Sequence, residues 1–483
     1  MRSPSLTLSL LAALVLSACA SMGNSTTHGK PLSGENLAGG QTLATSQQAR
    51  WPQSQWWTAL GDGQLDRLVD EAMAASPSLA AAQARIERAS ALAGVADANS
   101  GPQLSLGAEV TRQRFSENYM QPAPLAGSVR NTGRLALDGS YELDFFGKHK
   151  SELDAALSRG RAAEYEAQAV RLALAANLTR AWVLLDREYA SQDLLAATLK
   201  QRERVAELSA LRSKAGLDSV SDSKVATAGV ATIRQEIEAS RERLALLRNQ
   251  IAALVGAGPE RGEKLGRPQL AANAAMGLPG SLPAELVARR PDIAAQQARL
   301  DASLRDIDYA KTLFYPNINL VGFLGFQALG LDNVLEGGSR IAGVGPALRL
   351  PIFDGGRLRS NLRVSQTDFD SAVAQYNALV VDAFREVADA ATSQQAIVRQ
   401  QQEQKLAEAD LRDAYQIAEV RYAKGIGNQL AVLVVEDRLL SQQRSGVELA
   451  ARSRLAWVDL NRALGGGFSS QQATTASNTA AAH

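Results

Sequence analysis

One stretch of this 483-residue sequence occurs twice, and that fact limits the fold more than any other. Pro77-Ser78-Leu79-Ala80-Ala81-Ala82-Gln83-Ala84-Arg85-Ile86 aligns with Pro291-Asp292-Ile293-Ala294-Ala295-Gln296-Gln297-Ala298-Arg299-Leu300, and Pro102-Gln103-Leu104 follows at the same offset as Pro316-Asn317-Ile318. The punctuation further on recurs in the same order. Phe146-Gly147 returns as Phe353-Asp354-Gly355, Ala215-Gly216-Leu217 as Lys424-Gly425-Ile426, and Leu254-Val255-Gly256 as Ala463-Leu464-Gly465. A period of roughly 210 residues is far too long for a solenoid unit, so the chain reads as two duplicated halves.

Each half presents the same elements. An Ala-rich segment of good helix formers comes first, Leu65 to Asn99 and Ala284 to Leu313. Two alternating segments follow. Leu104, Leu106, Ala108 and Val110 alternate with Gln103, Ser105, Glu109 and Thr111; Leu135, Leu137, Tyr141, Leu143 and Phe145 alternate with Asp138, Ser140, Glu142 and Asp144. Period two over about ten residues predicts strands. In the second half Ile318, Leu320, Leu324 and Phe326 share one face while Val321 and Phe323 blur the other, and Leu348, Leu350 and Ile352 enclose Arg349 and Pro351. The connectors, Arg114 to Gly127 and Gln327 to Arg340, predict long loops.

Two proline-free helical stretches come next, about Lys148 to Ala215 and about Gly356 to Lys424. Roughly 68 helical residues span about 100 Å, several times a globular domain's helix. Val373, Tyr376, Val380, Ala383, Val387 and Ala390 step by threes and fours, the spacing of a coiled-coil seam. Gly216 and Gly425 then end the helices, and the chain returns through Ser219 to Leu254 and Asn428 to Leu464. These are antiparallel hairpins that turn at the two glycines.

Charge and composition remove whole classes of function. Lys+Arg 51 against Asp+Glu 50 gives a net charge of +1, scattered along the chain, which argues against a nucleic-acid-binding face. His28, His149 and His483 are not spaced as metal ligands and stand near no catalytic partner, and Cys19 is the only cysteine. Disulfide scaffolds, zinc sites and His-based triads are excluded, no cofactor is implied, and the chain reads as a non-enzyme. Glu142 and Asp144, two apart on a polar strand face, read as solvated carboxylates lining a lumen rather than an acid/base pair.

The amino terminus has Arg2, an apolar run from Leu6 to Leu16 and the small pair Ser17-Ala18, a signal-peptide pattern. Leu16-Ser17-Ala18-Cys19 is similar to the lipobox of bacterial lipoproteins, which implies cleavage before Cys19 and acylation of that cysteine. Ala20 and Ser21 suit outer-membrane sorting. Such an anchor tethers a chain without making it span. No later run of about 18 apolar residues exists, so any spanning falls to strands.

A strand with one apolar and one polar face fits a soluble sheet with one buried side, and it fits a wall between lipid and water. The 100 Å helices favour the wall, because four strands are no matching layer for them. Four strands close no barrel alone, an open edge in lipid is forbidden, and three copies give twelve strands and an open lumen. The fold class expected is therefore mainly α with a transmembrane β-barrel part: four strands per chain, and long α-hairpins forming a trimeric α-barrel.

Longer motifs carry a resemblance. Trp56-Trp57 followed by Leu65, Tyr141-Glu142-Leu143-Asp144-Phe145-Phe146-Gly147-Lys148, Leu282-Pro283-Ala284-Glu285-Leu286 through Arg289-Arg290-Pro291-Asp292-Ile293, and Ala463-Leu464-Gly465-Gly466-Gly467 stand in the order of signature stretches. Together they resemble the outer membrane factor family of TolC-like channels, in its lipoprotein branch, the OprM and NodT group. The resemblance implies a homotrimeric duct in the outer-membrane lipid that reaches across the periplasm to a periplasmic adaptor and an inner-membrane transporter, often of the resistance-nodulation-division type. It also implies a periplasmic gate near the second hairpin turn, where Leu430 matches a constricting leucine. Val434 stands where the family often has an aspartate, and the acids fall at Glu436 and Asp437. An ordinary interhelix packing leucine remains the other reading of Leu430.

The expected divisions are a signal peptide (1–18), a lipidated N-terminal linker (19–50), a first structural repeat (51–260), a linker (261–282), a second repeat (283–467) and a flexible C-terminal tail (468–483). Trp51, Trp56 and Trp57 precede every strand and are expected to pack against the helical barrel, whereas Tyr141, Phe145 and Phe146 suit an interfacial aromatic belt. Two other functions compete with the efflux duct: a lipid-anchored periplasmic coiled-coil adaptor without a pore, and the exit duct of a type I secretion system.

Overall fold

A computed structural model describes residues 22, 26–33, 51–118, 120, 122–271 and 286–469. The signal peptide, Cys19, most of the two linkers and residues 470–483 of the tail lie outside the described residues. In chain order the regular elements are α1 (Gly63–Ala75), α2 (Pro77–Ser100), β1 (Gln103–Arg114), β2 (Val129–Glu142), α3 (Lys148–Lys214), α4 (Val220–Leu254), the short α5 (Pro259–Glu263), α6 (Pro291–Thr312), β3 (Asn317–Leu329), β4 (Arg340–Arg349), α7 (Arg357–Ala423) and α8 (Gln429–Ala463). Helix, two strands, a 67-residue helix and a 35-residue helix thus appear twice.

The Ala-rich segments are less continuous than their helix formers suggest. The first breaks at Ser76, where the backbone turns extended before Pro77 opens α2. In the second, a 3-10 turn at Val287–Arg289 gives way to extended backbone at Arg290 before Pro291 opens α6. Proline lacks the N–H that an interior helical position must donate, and its fixed φ suits the first turn, so each Pro starts a helix instead of riding inside one.

The chain divides into two compact units. The first, drawn from Met1–Pro31, Arg85–Ala163 and Gln296–Tyr376, carries a four-stranded antiparallel sheet in the order β1-β2-β3-β4. Its fourth strand ends at Arg349, where a centre near Leu350 was the sequence expectation. Pro351 cannot donate to a ladder, and the last pair is Asn317 with Arg349. The connector before β4 is shorter than Gln327 to Arg340, because β3 runs on to Leu329 and β4 starts at Arg340 itself. Phe323, on the face that carries Ser105 and Asp138, stands opposite Gly343, and a Cβ there would lie 2.7 Å from its ring. The ring therefore covers a glycine across the ladder, which is what draws an aromatic to that face.

The second unit, drawn from Leu32–Ala84, Glu164–Ala295 and Asn377–His483, is held by a core of Trp56, Trp57, Leu68, Trp182, Ile251 and Trp457 with their neighbours. Trp56 meets Trp57 and Trp457 edge-on, at 5.9 and 5.4 Å between centroids. The three tryptophans of the amino-terminal segment thus pack inward, Trp51 beneath the Arg289 guanidinium. Every member of the seam on α7, from Val373 to Ala390, is buried.

Two close approaches recur. Gly256 and Gly465, each just beyond a 35-residue helix, have φ of 76° and 85°. A Cβ would stand 2.6 Å from the Ala75 carbonyl oxygen in the first case and 1.9 Å from that of Arg289 in the second. Ala75 and Arg289 each lie two residues before the helix-opening prolines. Arg290, buried at 8% side-chain exposure, donates to Asp292 and Glu386 at 2.7 Å and to the Ala463 carbonyl at 3.2 Å. Burial opposes its charge, but the two carboxylates outweigh that and hold its pKa above the ordinary arginine value. The Arg-Arg-Pro-Asp motif is therefore a clasp between the start of α6 and the end of α8.

Candidate functional site

The register of the sheet separates two faces. Leu106, Leu137, Leu324 and Ala342 form one row across all four strands, and Leu104, Gly139, Gly322 and Val344 the next. Strands expose alternate residues to opposite sides, so the row through Ser105, Asp138, Phe323 and Gly343 lies on the other face. There Arg134 also holds Asp138 through two hydrogen bonds, the longer 2.9 Å. The apolar face is open in a single chain. Leu106 is 72% exposed, Leu324 64% and Val344 80%. A patch of this kind marks contact with a partner or with lipid.

The junction between sheet and helix differs from the expectation for its acids. Glu142 does not stand free on a solvated wall; its carboxylate pairs with Lys148 at 2.9 Å and lies 3.2 Å from His149 Nε2. Asp144 accepts from the backbone N–H groups of Lys148 and Lys150, at 2.6 and 3.0 Å, and so caps α3. Asp354 does the same for α7, accepting from Gly356 and Leu358. The chain leaves the ladder at this point, and the orphan N–H groups of a helix start claim the nearest carboxylate. Tyr141, Phe145 and Phe146 are exposed at this border, with Phe146 stacked on Tyr315 at 4.7 Å.

The hairpin turns are built alike. Gly216 and Gly425 have φ of 71° and 72°, and the next residue, Leu217 or Ile426, donates back to Arg212 or Arg421, each at 2.9 Å. This closing bond satisfies a helix-end carbonyl and needs a left-handed residue, which glycine supplies. Ser219 and Asp222 then form a reciprocal cap for α4, and Asn428 accepts from Ala431 N–H to cap α8.

Beside the second turn, Leu430 and Val434 lie one helical turn apart on the same side of α8, 41% and 46% exposed. Glu436 does not share that side: it is turned to α3, where Arg204 binds both its oxygens. Arg202 takes Asp437 at 2.6 Å, and Gln201 donates to the Leu433 carbonyl at 2.8 Å. Both acids near the turn are thereby neutralised by α3. Tyr415, hydrogen-bonded to Glu419, partly desolvated and close to Glu436, has its phenol pushed up to about 12. These arginines escape a sequence reading because their partners lie 232 and 235 residues away. Cys19 lies outside the described residues. Among the described residues no group of His, Cys, Asp and Glu is arranged to hold a metal, and no helix is long and apolar enough to cross a membrane.

Comparison with known proteins follows the same lines. The outer membrane efflux protein family matches residues 68–257 and again residues 282–466. The fusaric acid resistance protein FusA of Burkholderia cepacia is 38% identical over 362 residues, 73% of this chain and 67% of its own. The outer membrane protein OprJ of Pseudomonas aeruginosa is 34% identical over 480 residues, 97% of each chain. The crystal structure of the outer membrane protein VceC from Vibrio cholerae superposes with a TM-score of 0.79 at 36% identity, covering 86% of this chain and all of that one.

Proposed function

For a chain that belongs to the TolC-like outer membrane efflux protein family, we propose the role of passive exit duct in a tripartite efflux pump, as a homotrimer acylated at Cys19. The observation that carries this reading is the sheet: four strands, one continuous apolar face left open, and two unpaired edges at β1 and β4. In lipid no edge survives unpaired, so copies must join edge to edge, and three of them give twelve strands around a water-filled lumen. The two 67-residue helices with their return helices continue that tube as an α-barrel about 100 Å long. The two halves of each protomer, alike in element order, descend from one duplicated unit.

A duct of this kind does no chemistry and takes its energy from an inner-membrane transporter, here of the resistance-nodulation-division type, through a periplasmic adaptor. Cargo is a small molecule of the multidrug class, and selection lies with the transporter. At the periplasmic end Leu430, with Val434 one turn further, supplies an apolar ring in the trimer that shuts the pore by narrowing and dewetting. Val434, together with the pairing of Glu436 and Asp437 to α3, makes this an apolar closure rather than an acidic, cation-selecting one.

Single-channel recording of the purified lipoprotein in planar bilayers tests duct and gate together. Wild type should give small, rare openings and Leu430→Ala large, frequent ones. Silence from both, in a sample with an intact trimer, would overturn the duct.

A further inference from the structure

Far from α7 in sequence, residues 26–33 are nevertheless held against it. The backbone N–H groups of His28 and Gly29 both donate to Asp370 Oδ1, at 2.9 and 2.7 Å. A Cβ on Gly29 would stand 2.9 Å from Val373 Cβ, so the strap lies as close to the helix as a backbone can. Met22, seven residues earlier, packs on an apolar cluster that includes Phe314, Leu358, Leu362 and Phe369. Seven extended residues reach at most about 24 Å, the rise of roughly 16 helical residues, enough to lead from Asp370 back to the first turn of α7.

That first turn borders a cavity. Leu313 and Leu358 belong both to the cluster that receives Met22 and to the wall of a half-open space of about 620 Å³ with a mixed lining, apolar at Phe146, Tyr315, Ile352 and Phe353 and charged at Glu142, Lys148, Arg349 and Arg357. The volume is in the range of ligand cavities. Large apolar side chains around it stand in the open: Phe353 is 92% exposed and Ile352 72%. An apolar occupant would remove this surface from water.

Resting on the assignment of Cys19 as an acylated residue, we propose that one acyl chain of Cys19 lies in this cavity at the strand-to-helix junction, instead of all its chains passing into the surrounding bilayer. Cys19 is three residues from Met22, at most about 11 Å of chain. The clip at Asp370 and the packing of Met22 deliver the tether to the cavity mouth, and a tethered group meets its site at an effective concentration in the millimolar range. The strap, which otherwise secures an unremarkable stretch of linker, thereby sets where the anchor enters the protein.

Cells fed a diazirine-bearing fatty acid would incorporate it at Cys19; the full-length protein, irradiated in membranes and purified, is then digested for mass spectrometry. The expected product is an intramolecular cross-link from the acylated Cys19 peptide to peptides holding Leu313, Tyr315 or Ile352 to Leu358. Asp370→Ala should lower its yield several-fold with acylation unchanged, and an undiminished yield would overturn the delivery by the strap and the proposal with it. Cross-links from Cys19 only to bilayer lipid, or to Leu106 and Val344 on the open sheet face, would overturn it. Phospholipid adducts in the cavity would do so as well and name bilayer lipid as the occupant. Absence of any acyl mass on Cys19 would instead remove the lipoprotein assignment itself.

Discussion

Asp62 satisfies three donors with one carboxylate. It caps α1 through the Gln64 N–H at 2.9 Å, accepts the buried Trp182 indole N–H at 2.9 Å, and accepts the Gln269 N–H at 2.7 Å. Removing it strands an indole N–H in a dry core, which costs about 1–3 kcal/mol. Asp62→Ala should lower Tm by several degrees in detergent, with Asp62→Asn recovering part of the loss. Glu188 is the pH-dependent counterpart. Burial alone would raise its pKa, but Arg243, Ser240 and Arg187 hold the charged form and bring it below the ordinary value of 4.5. A depressed carboxylate adds stability above its unfolded pKa and loses it as pH falls through the folded one. Thermal melts should therefore show wild type losing stability below about pH 4.5 more steeply than Glu188→Gln, which is the less stable of the two at pH 7. Neither acid stands out in the sequence, since Trp182 and Gln269 lie 120 and 207 residues from Asp62. The turn glycines were legible because helix termination is local chemistry. Asp144 is exposed as its alternation implied, but its capping role and the ion pairing of Glu142 were not legible, because alternation fixes the side of a strand and the chain stops being a strand within two residues of them.

At the scale of elements, sequence period and punctuation set the lengths of both long helices and both return helices to within a residue or two, because 67 residues without proline leave few alternatives. What they could not give was closeness between elements. Gly216 and Gly465 look alike as helix-ending glycines, yet their surroundings differ. At Gly216 a Cβ would meet nothing within 4 Å, and the substitution is strained only by its positive φ. At Gly465 the added atom would fall 1.9 Å from the Arg289 oxygen, inside the clasp that Arg290 completes. Gly216→Ala should cost about 1 kcal/mol in chemical denaturation, and Gly465→Ala several times that or a failure to assemble. Equal effects would mean that the helix ends of the second unit are looser than their packing indicates. The fourth strand was the least legible element, since Gly343, Gly345 and Pro346 dilute the alternation that its ladder with β3 makes plain.

For the whole molecule, the question that decides its role is which face of the sheet meets lipid. The sequence suggested the answer through alternation in β1 and β2, and the register extends it to β3 and β4, where Val321 and Phe323 had obscured it. Leu106, Leu137 and Leu324 fall in one row on the face taken to be lipid-facing, with Ser105 and Asp138 in the row behind. A charge on the lipid face of a barrel strand costs about 2–4 kcal/mol at mid-depth, and a trimer carries the change three times. Leu106→Arg and Leu324→Arg should therefore prevent assembly of the proposed trimer or its insertion into vesicles. Ser105→Arg and Ser140→Arg, on the opposite face, should assemble and insert normally and shift ion selectivity toward anions, because a lumen charge is solvated and acts on the permeating ion instead of on lipid. Gel mobility with and without heating and reversal potentials under a salt gradient read the two effects separately. The reverse pattern, tolerance at Leu106 and loss at Ser105, would turn the sheet inside out and leave the open apolar rows to be covered by protein, which is incompatible with a lumen behind them.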